Sequence, residues 1–233
     1  MKGRRRSVAA VAAVCMVLMA GCGVDVGDAG STAVGNGDVI GSPGAASSTS
    51  STTTTTTTTP PPTDIEVEGL VPSDENDVAV NAIADLQTWW ADEFPRVYGD
   101  DYEPVSGGFF AIDSSTDPSG IPCSPDTIED VLYNAYYCPD DDAVAWDQEQ
   151  LLPDLAKKYG SFTVAVVLAH EWGHAIQARS GFDEPTVIGE LQADCFAGAW
   201  SKHVVRGKDS RLAASIEDVD RALAGILSLR DAP

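Results

Sequence analysis

SFTVAVVLAHEWGHAIQARSG, residues 161–181, carries the plainest structural signal in this chain of 233 residues. Val164 to Ala169 is an unbroken apolar run, and Gly181 after Arg179 supplies a stop, so a mostly buried helix is expected over residues 162–179. His170 and His174 stand at i and i+4, which projects both imidazoles from one face. The plainer reading is a polar helix face with two solvated histidines. It does not account for the apolar run, because histidines entering a core need partners. Only three His occur in the chain, so a chance HExxH has an expected count on the order of 10⁻³.

That spacing lets two ring nitrogens reach one ion. In the HExxH arrangement Glu171, next to the first His, is the expected general base toward a water whose pKa zinc has lowered. A catalytic zinc takes three protein ligands and keeps a fourth position open. The metzincin pattern would put Gly at 177 and His at 180, where this chain has Gln177 and Ser180. A second helix is expected over 186–205, and in it Glu190 and Asp194 again share a face at i and i+4. Glu190 is expected to complete a His₂Glu set for one zinc ion. Asp194 is expected to accept the free N–H of a ligating His and fix its tautomer. The converse assignment, with Asp194 as ligand, stays open, as does a solvated acidic face. His203 lies nine residues after Asp194, near 180° around the helix, and is expected to point away as a surface or helix-end charge. Tyr136, Tyr137 and Tyr159 are candidates for stabilising an oxyanion, and nothing in the sequence selects one.

Outward from these helices the chain reads as one domain, residues 65–233. A helix is expected over 73–92, capped by Ser73, favoured by Asp74, Glu75 and Asp77, and ended by Pro95. Residues 109–113 and 143–147 are short strand candidates. The Pro-rich stretch between them should be mostly loop, with a turn of helix near 127–133. A last helix should cover 210–229. One helix, a little sheet and three helices make an α+β, mainly helical class, with the HExxH helix packed on a second ligand-bearing helix.

The front of the chain is not fold. Lys2, Arg4, Arg5 and Arg6 precede an apolar run from Val8 to Ala20, the layout of an export signal and too short to span a bilayer. Leu18-Met19-Ala20-Gly21-Cys22 resembles the lipobox of bacterial lipoproteins, which makes residues 1–21 the signal and Cys22 the lipidated first residue. Residues 22–64, rich in Gly, Ser, Thr and Pro, read as a disordered tether with a mean reach on the order of 35 Å. The formal charge is −22. That excludes nucleic acid as a partner and leaves the lipid, not electrostatics, to hold the protein on the outer face of the cell membrane. In an exported chain Cys123 and Cys138 are expected to form a disulfide, two free buried thiols being the alternative. Cys195 reads as a buried apolar filler; its angle of about 100° from Asp194 argues against a fourth ligand.

These residues resemble the neutral zinc metallopeptidase family of bacteria. The likeness rests on His170-Glu-Trp-Gly-His174-Ala-Ile-Gln177, on Glu190-Leu-Gln-Ala-Asp-Cys-Phe-Ala-Gly198, and on Tyr137-Cys-Pro-Asp-Asp-Asp-Ala-Val-Ala-Trp-Asp147 with Cys123 upstream. The resemblance implies a zincin-like fold, Glu190 as third ligand, and a strand at residues 143–147 beside the cleft that holds a peptide by main-chain bonds. The function expected is a lipid-anchored, extracytoplasmic zinc peptidase acting on a peptide or protein substrate. The alternatives are a non-catalytic zinc-binding envelope lipoprotein with a peptide-binding role, or a truncated family member.

Overall fold

A computed structural model describes residues 63–182, 186–207 and 209–230. The signal, Cys22 and all of the tether but its last two residues lie outside them. The fold is α+β and mainly helical.

Helix α1, Asp74–Tyr98, begins where Ser73 accepts a hydrogen bond from the Asn76 N–H at 3.1 Å. Its buried stripe is Ala79, Ala82, Ile83, Leu86, Trp90 and Phe94. The helix runs six residues past the expected end at 92 and passes through Pro95. The lost N–H would orphan the Ala91 carbonyl, but Ala91 and Pro95 are both exposed to water. Phe94 and Tyr98, ring centroids 4.7 Å apart, hold the extra turn, and Gly99 at φ 75° ends it.

Strands β1 (Phe109–Ile112), β2 (Ala135–Cys138) and β3 (Ala143–Asp147) form one sheet in the order β1-β3-β2. β3 pairs parallel with β1 and antiparallel with β2, and every residue of it is buried. The strand expected beside the cleft is therefore the central one, with both edges already used. The edges are β1 and β2, and β2, which packs on the HExxH helix, was passed over by the sequence reading. The Asp147 N–H donates to the Asn134 carbonyl at 2.9 Å. This fixes the phase of the ladder, so Tyr137, opposite Val144, turns its own peptide groups away from β3.

Cys138 closes β2 and is joined to Cys123 by a disulfide with a sequence separation of 15. Cross-linking a loop of that length stabilises by about 3 kcal/mol through the unfolded chain. A Cys123→Ser, Cys138→Ser double variant should melt on the order of 6–12 °C lower than the oxidised protein. Differential scanning calorimetry checks this, and an unchanged midpoint would refute it.

Helix α2, Leu151–Tyr159, was not expected; it buries Leu151, Leu152 and Leu155 and stops at Gly160, φ 93°. Helices α3 (Phe162–Ser180) and α4 (Thr186–Val205) match expectation to within a residue. Helix α5, Ile216–Arg230, starts later than the expected 210. Ser215 and Asp218 cap each other's backbone N–H groups there, at 2.8 and 3.2 Å, and so define the true start. α3 is the hub, packed by α1, α2, α4, α5 and β2. Its residues 162–169 are all buried. Trp172 anchors its rotation: the indole stacks on Phe109 and donates to the Tyr102 hydroxyl at 3.2 Å. With that face inward, His170, Glu171 and His174 look the other way. Among the described residues no helix is long and apolar enough to cross a membrane.

Candidate metal centre

The crossing of α3 and α4 is set by two small residues. A Cβ built on Gly173 would lie 2.7 Å from the Ala193 Cα and 2.9 Å from its Cβ. Gly173 sits between the two histidines, and Ala193 between Glu190 and Asp194. The helices therefore touch backbone to side chain at the level where their polar groups face each other.

His170, His174 and Glu190 each offer a donor atom, and these atoms lie within 4.8 Å of one another. The Glu190 carboxylate is divided between the rings, with Oε2 3.2 Å from His170 Nε2 and Oε1 3.5 Å from His174 Nε2. Tetrahedral ligands about 2.0–2.2 Å from an ion stand about 3.3–3.6 Å apart. The two separations to Glu190 lie at or close to that range, as a zinc-sized cation between them requires. Both rings are also held in the right tautomer. The Asp194 carboxylate can only accept, so His170 Nδ1–H donates to its Oδ1 at 2.8 Å. The Gln177 amide nitrogen is committed to the Gly189 carbonyl at 2.6 Å, so its oxygen accepts from His174 Nδ1–H at 3.0 Å. Each Nε2 is then the ring atom that faces Glu190, where a cation could take the place of a proton. Gln177 is a candidate-site residue whose role sequence reasoning missed; it appeared there as a departure from the metzincin pattern and as the end of a motif, with no role assigned.

Glu171 lies beside this group, not within it. Its Oε2 accepts the outward Tyr137 N–H of β2 at 3.2 Å. Burial pushes its carboxyl up to about 7, against the opposing pull of His170 and of that N–H. Burial disfavours a charged His170 ring, yet the Asp194 hydrogen bond and the carboxylates of Glu171, Asp194 and Glu190 outweigh it and raise its pKa. The cluster holds a proton readily, and it is rich in negative charge that a cation would relieve.

The other candidates fall elsewhere. His203 leans on Trp89, ring centroids 6.1 Å apart, and its Nε2 is 4.0 Å from Asp85, away from the cluster. Tyr159 packs under Gly225 of α5. Tyr136 and Tyr137 do line the cleft beside Glu171, but their hydroxyls donate to the Pro122 carbonyl at 3.0 Å and to Asp142 at 2.8 Å. Cys195 is half-buried on α4, where a fully buried filler was expected. Cys123, Cys138 and Asp141 also cluster, with both sulfurs spent in their bond.

No protein-family model matches the chain, and no solved structure matches it. An uncharacterized protein of Mycobacterium tuberculosis is 29% identical over 132 residues, 48% of this chain and 44% of its own length. An uncharacterized protein of Mycobacterium bovis is similar to the same extent. The chain spans less than half the length of these curated relatives.

Proposed function

We propose that this chain is a zinc peptidase of zincin-like fold, akin to the bacterial neutral zinc metallopeptidases, exported and tethered through a lipid on Cys22. The observation that carries the reading is the convergence of His170 Nε2, His174 Nε2 and the Glu190 carboxylate, with Glu171 alongside and outside the donor set. The lipid anchor and the extracytoplasmic location rest on the sequence of residues 1–22, and the Cys123–Cys138 disulfide suits them.

His170, His174 and Glu190 would hold the metal. A zinc ion held there acts as a Lewis acid and makes water a nucleophile at neutral pH. The rest falls to the protein. Asp194 and Gln177 hold the imidazoles in register. Glu171 takes up a proton at Oε1 or Oε2 as water attacks and delivers it to the leaving amine. Tyr137 steadies that carboxylate through its backbone N–H. The outward carbonyls of Ala135 and Tyr137 on the edge of β2 offer main-chain acceptors along which an extended peptide could lie.

Metal analysis of the purified full-length protein, with and without Glu190→Ala, tests the ligand set together with hydrolysis of an unfolded substrate. One zinc per chain, lost with Glu190, and turnover of the substrate are expected. Stoichiometric zinc with no turnover would leave only a zinc-shaped binding surface; no zinc would overturn the reading. Gln177→Leu should weaken zinc binding about 10–100-fold while sparing the three donors. Competition with a chelator of known affinity reads this directly.

A further inference from the structure

The Glu171 carboxylate is held from outside the helix that carries it. Its Oε2 accepts the Tyr137 N–H at 3.2 Å, so the placement of β2 sets where the carboxylate stands. β2 has four residues and pairs on one side only, with β3. Its position therefore depends on what grips it elsewhere.

A grip comes from the last turn of α3. Arg179, with 9% of its side chain exposed, puts Nη2 2.8 and 3.0 Å from the two carboxylate oxygens of Asp142. Its Nη1 donates to the Ala175 carbonyl at 2.9 Å, and its Nε donates to the Glu103 carbonyl. Asp142 also accepts the Tyr137 hydroxyl at 2.8 Å, and the Ser106 N–H and hydroxyl, both at 2.9 Å. One guanidinium thus joins the end of α3, the loop between α1 and β1, and the turn between β2 and β3. Through Asp142 it reaches the ring of the residue whose N–H holds Glu171. Tyr137 is fixed at both ends, hydroxyl to Asp142 and backbone to Glu171.

This is more than a surface ion pair. Asp142 stands at φ 52°, in the left-handed region, a conformation that persists where its surroundings hold it. Burial opposes its ionisation, yet hydrogen bonds from Ser106, Tyr137 and Arg179 outweigh burial and lower its pKa. Residues 97–156 contain no Lys, Arg or His, so no cation of that segment can stand in for Arg179.

We infer that Arg179 is a positioning residue: by clamping Asp142 it fixes Tyr137 and, through the Tyr137 N–H, the carboxylate oxygen of Glu171. The consequence for catalysis rests on the peptidase reading. Without the guanidinium, Asp142 would turn to water, Tyr137 would lose its hold, and Glu171 would lose a fixed donor. His170, His174 and Glu190 make none of these contacts, so the metal donors would stay in place and the loss would fall on kcat.

The test uses the full-length, zinc-loaded protein with Arg179→Gln, Tyr137→Phe or both. Steady-state kinetics on a fluorogenic peptide is paired with metal analysis of the same preparations. Each single variant should lower kcat about 10–100-fold with one zinc per chain retained, and KM should stay within about threefold. The double variant should be no more than about threefold slower than the worse single one, since both changes break one chain of contacts. Losses that multiply, a fall in zinc that parallels the fall in rate, or an unchanged kcat overturns the clamp. If Arg179→Gln does not fold, Arg179→Lys replaces it in the same comparison; it keeps a cation near Asp142 without the planar fork, so a smaller loss is expected and the coupling decides. Amide hydrogen exchange reads the same geometry without turnover. The Tyr137 N–H should exchange about tenfold or more faster in the Arg179 variant than in the wild type. The Tyr136 N–H, in a hydrogen-bonded pair with Ala145, should not change. If no zinc binds or no peptide is cut, the peptidase reading fails and exchange alone decides the clamp. Faster exchange confined to Tyr137 upholds it; unchanged exchange, or an equal rise at Tyr136, overturns it.

Discussion

Glu171→Gln is expected to lower peptide hydrolysis by about 10²–10⁴-fold while leaving one zinc bound per chain. The two halves of this result have separate origins. Glu171 is absent from the group of donors that converge, which is His170, His174 and Glu190, so its loss does not open the metal site. The amide of Gln is nearly the shape of the carboxylate and can still accept the Tyr137 N–H through its oxygen, so the wall formed by β2 should keep its place. What the amide cannot do is take a proton from water and return it to an amine. Steady-state kinetics on a fluorogenic peptide, paired with metal analysis of the same preparation, measures both halves. Full activity in Glu171→Gln would end the assigned role of this carboxylate. Loss of zinc together with activity would instead make Glu171 a ligand, against the geometry.

Gly173→Ala should have the second large effect, and the sign is informative. In an unobstructed helix interior, Gly to Ala stabilises by roughly 0.8–1.0 kcal/mol. Here the new methyl would lie 2.7 Å from the backbone of Ala193, and backbone cannot swing aside as a side-chain tip can. The helices must part or shift, and overpacking of this kind costs about 1–3 kcal/mol. Because Ala193 is flanked by Glu190 and Asp194, the same shift moves one ligand and one supporting carboxylate away from both imidazoles. A displacement of about 1 Å at a positioned group is worth on the order of 10²-fold in rate. Thermal melting and chelator competition should therefore both worsen. A variant more stable than wild type with unchanged zinc affinity would show that the close crossing is not what assembles the site.

Much of this centre was legible because its chemistry is local. Scarce histidines at helical spacing, and two carboxylates at the same spacing on the next helix, each define a face without any knowledge of tertiary structure. The apolar run before His170 further implied that the helix is buried, so that its histidines need partners. The positions that escaped notice are those whose meaning is set by a distant partner. Gln177 is one more polar residue on α3 until its amide is seen to join His174 to the Gly189 carbonyl. Gly173 reads as a mild helix weakener until Ala193 is set against it. β2 has only four residues, between Asn134 and Pro139, too short for alternation to show. β3 was found but misplaced: its uniformly apolar Ala-Val-Ala-Trp run is what a central strand needs, and only the sheet order reveals that the open edge belongs to its neighbour. α2 could have been seen, since Leu151, Leu152 and Leu155 share a face and Gly160 ends it; Pro153 in its first turn is tolerated there.

The arrangement at the helix crossing ties occupancy to folding. Three carboxylates, those of Glu171, Glu190 and Asp194, crowd two imidazoles in a chain of formal charge −22. Without a cation that nest must share protons instead, on two helices pressed together at Gly173 and Ala193. Filled by the proposed zinc, it would be a cross-brace. Once free metal exceeds its dissociation constant, each further tenfold adds about 1.4 kcal/mol to the native state. If the proposed zinc is bound, the melting curve of this protein would be a gauge of the metal in its surroundings.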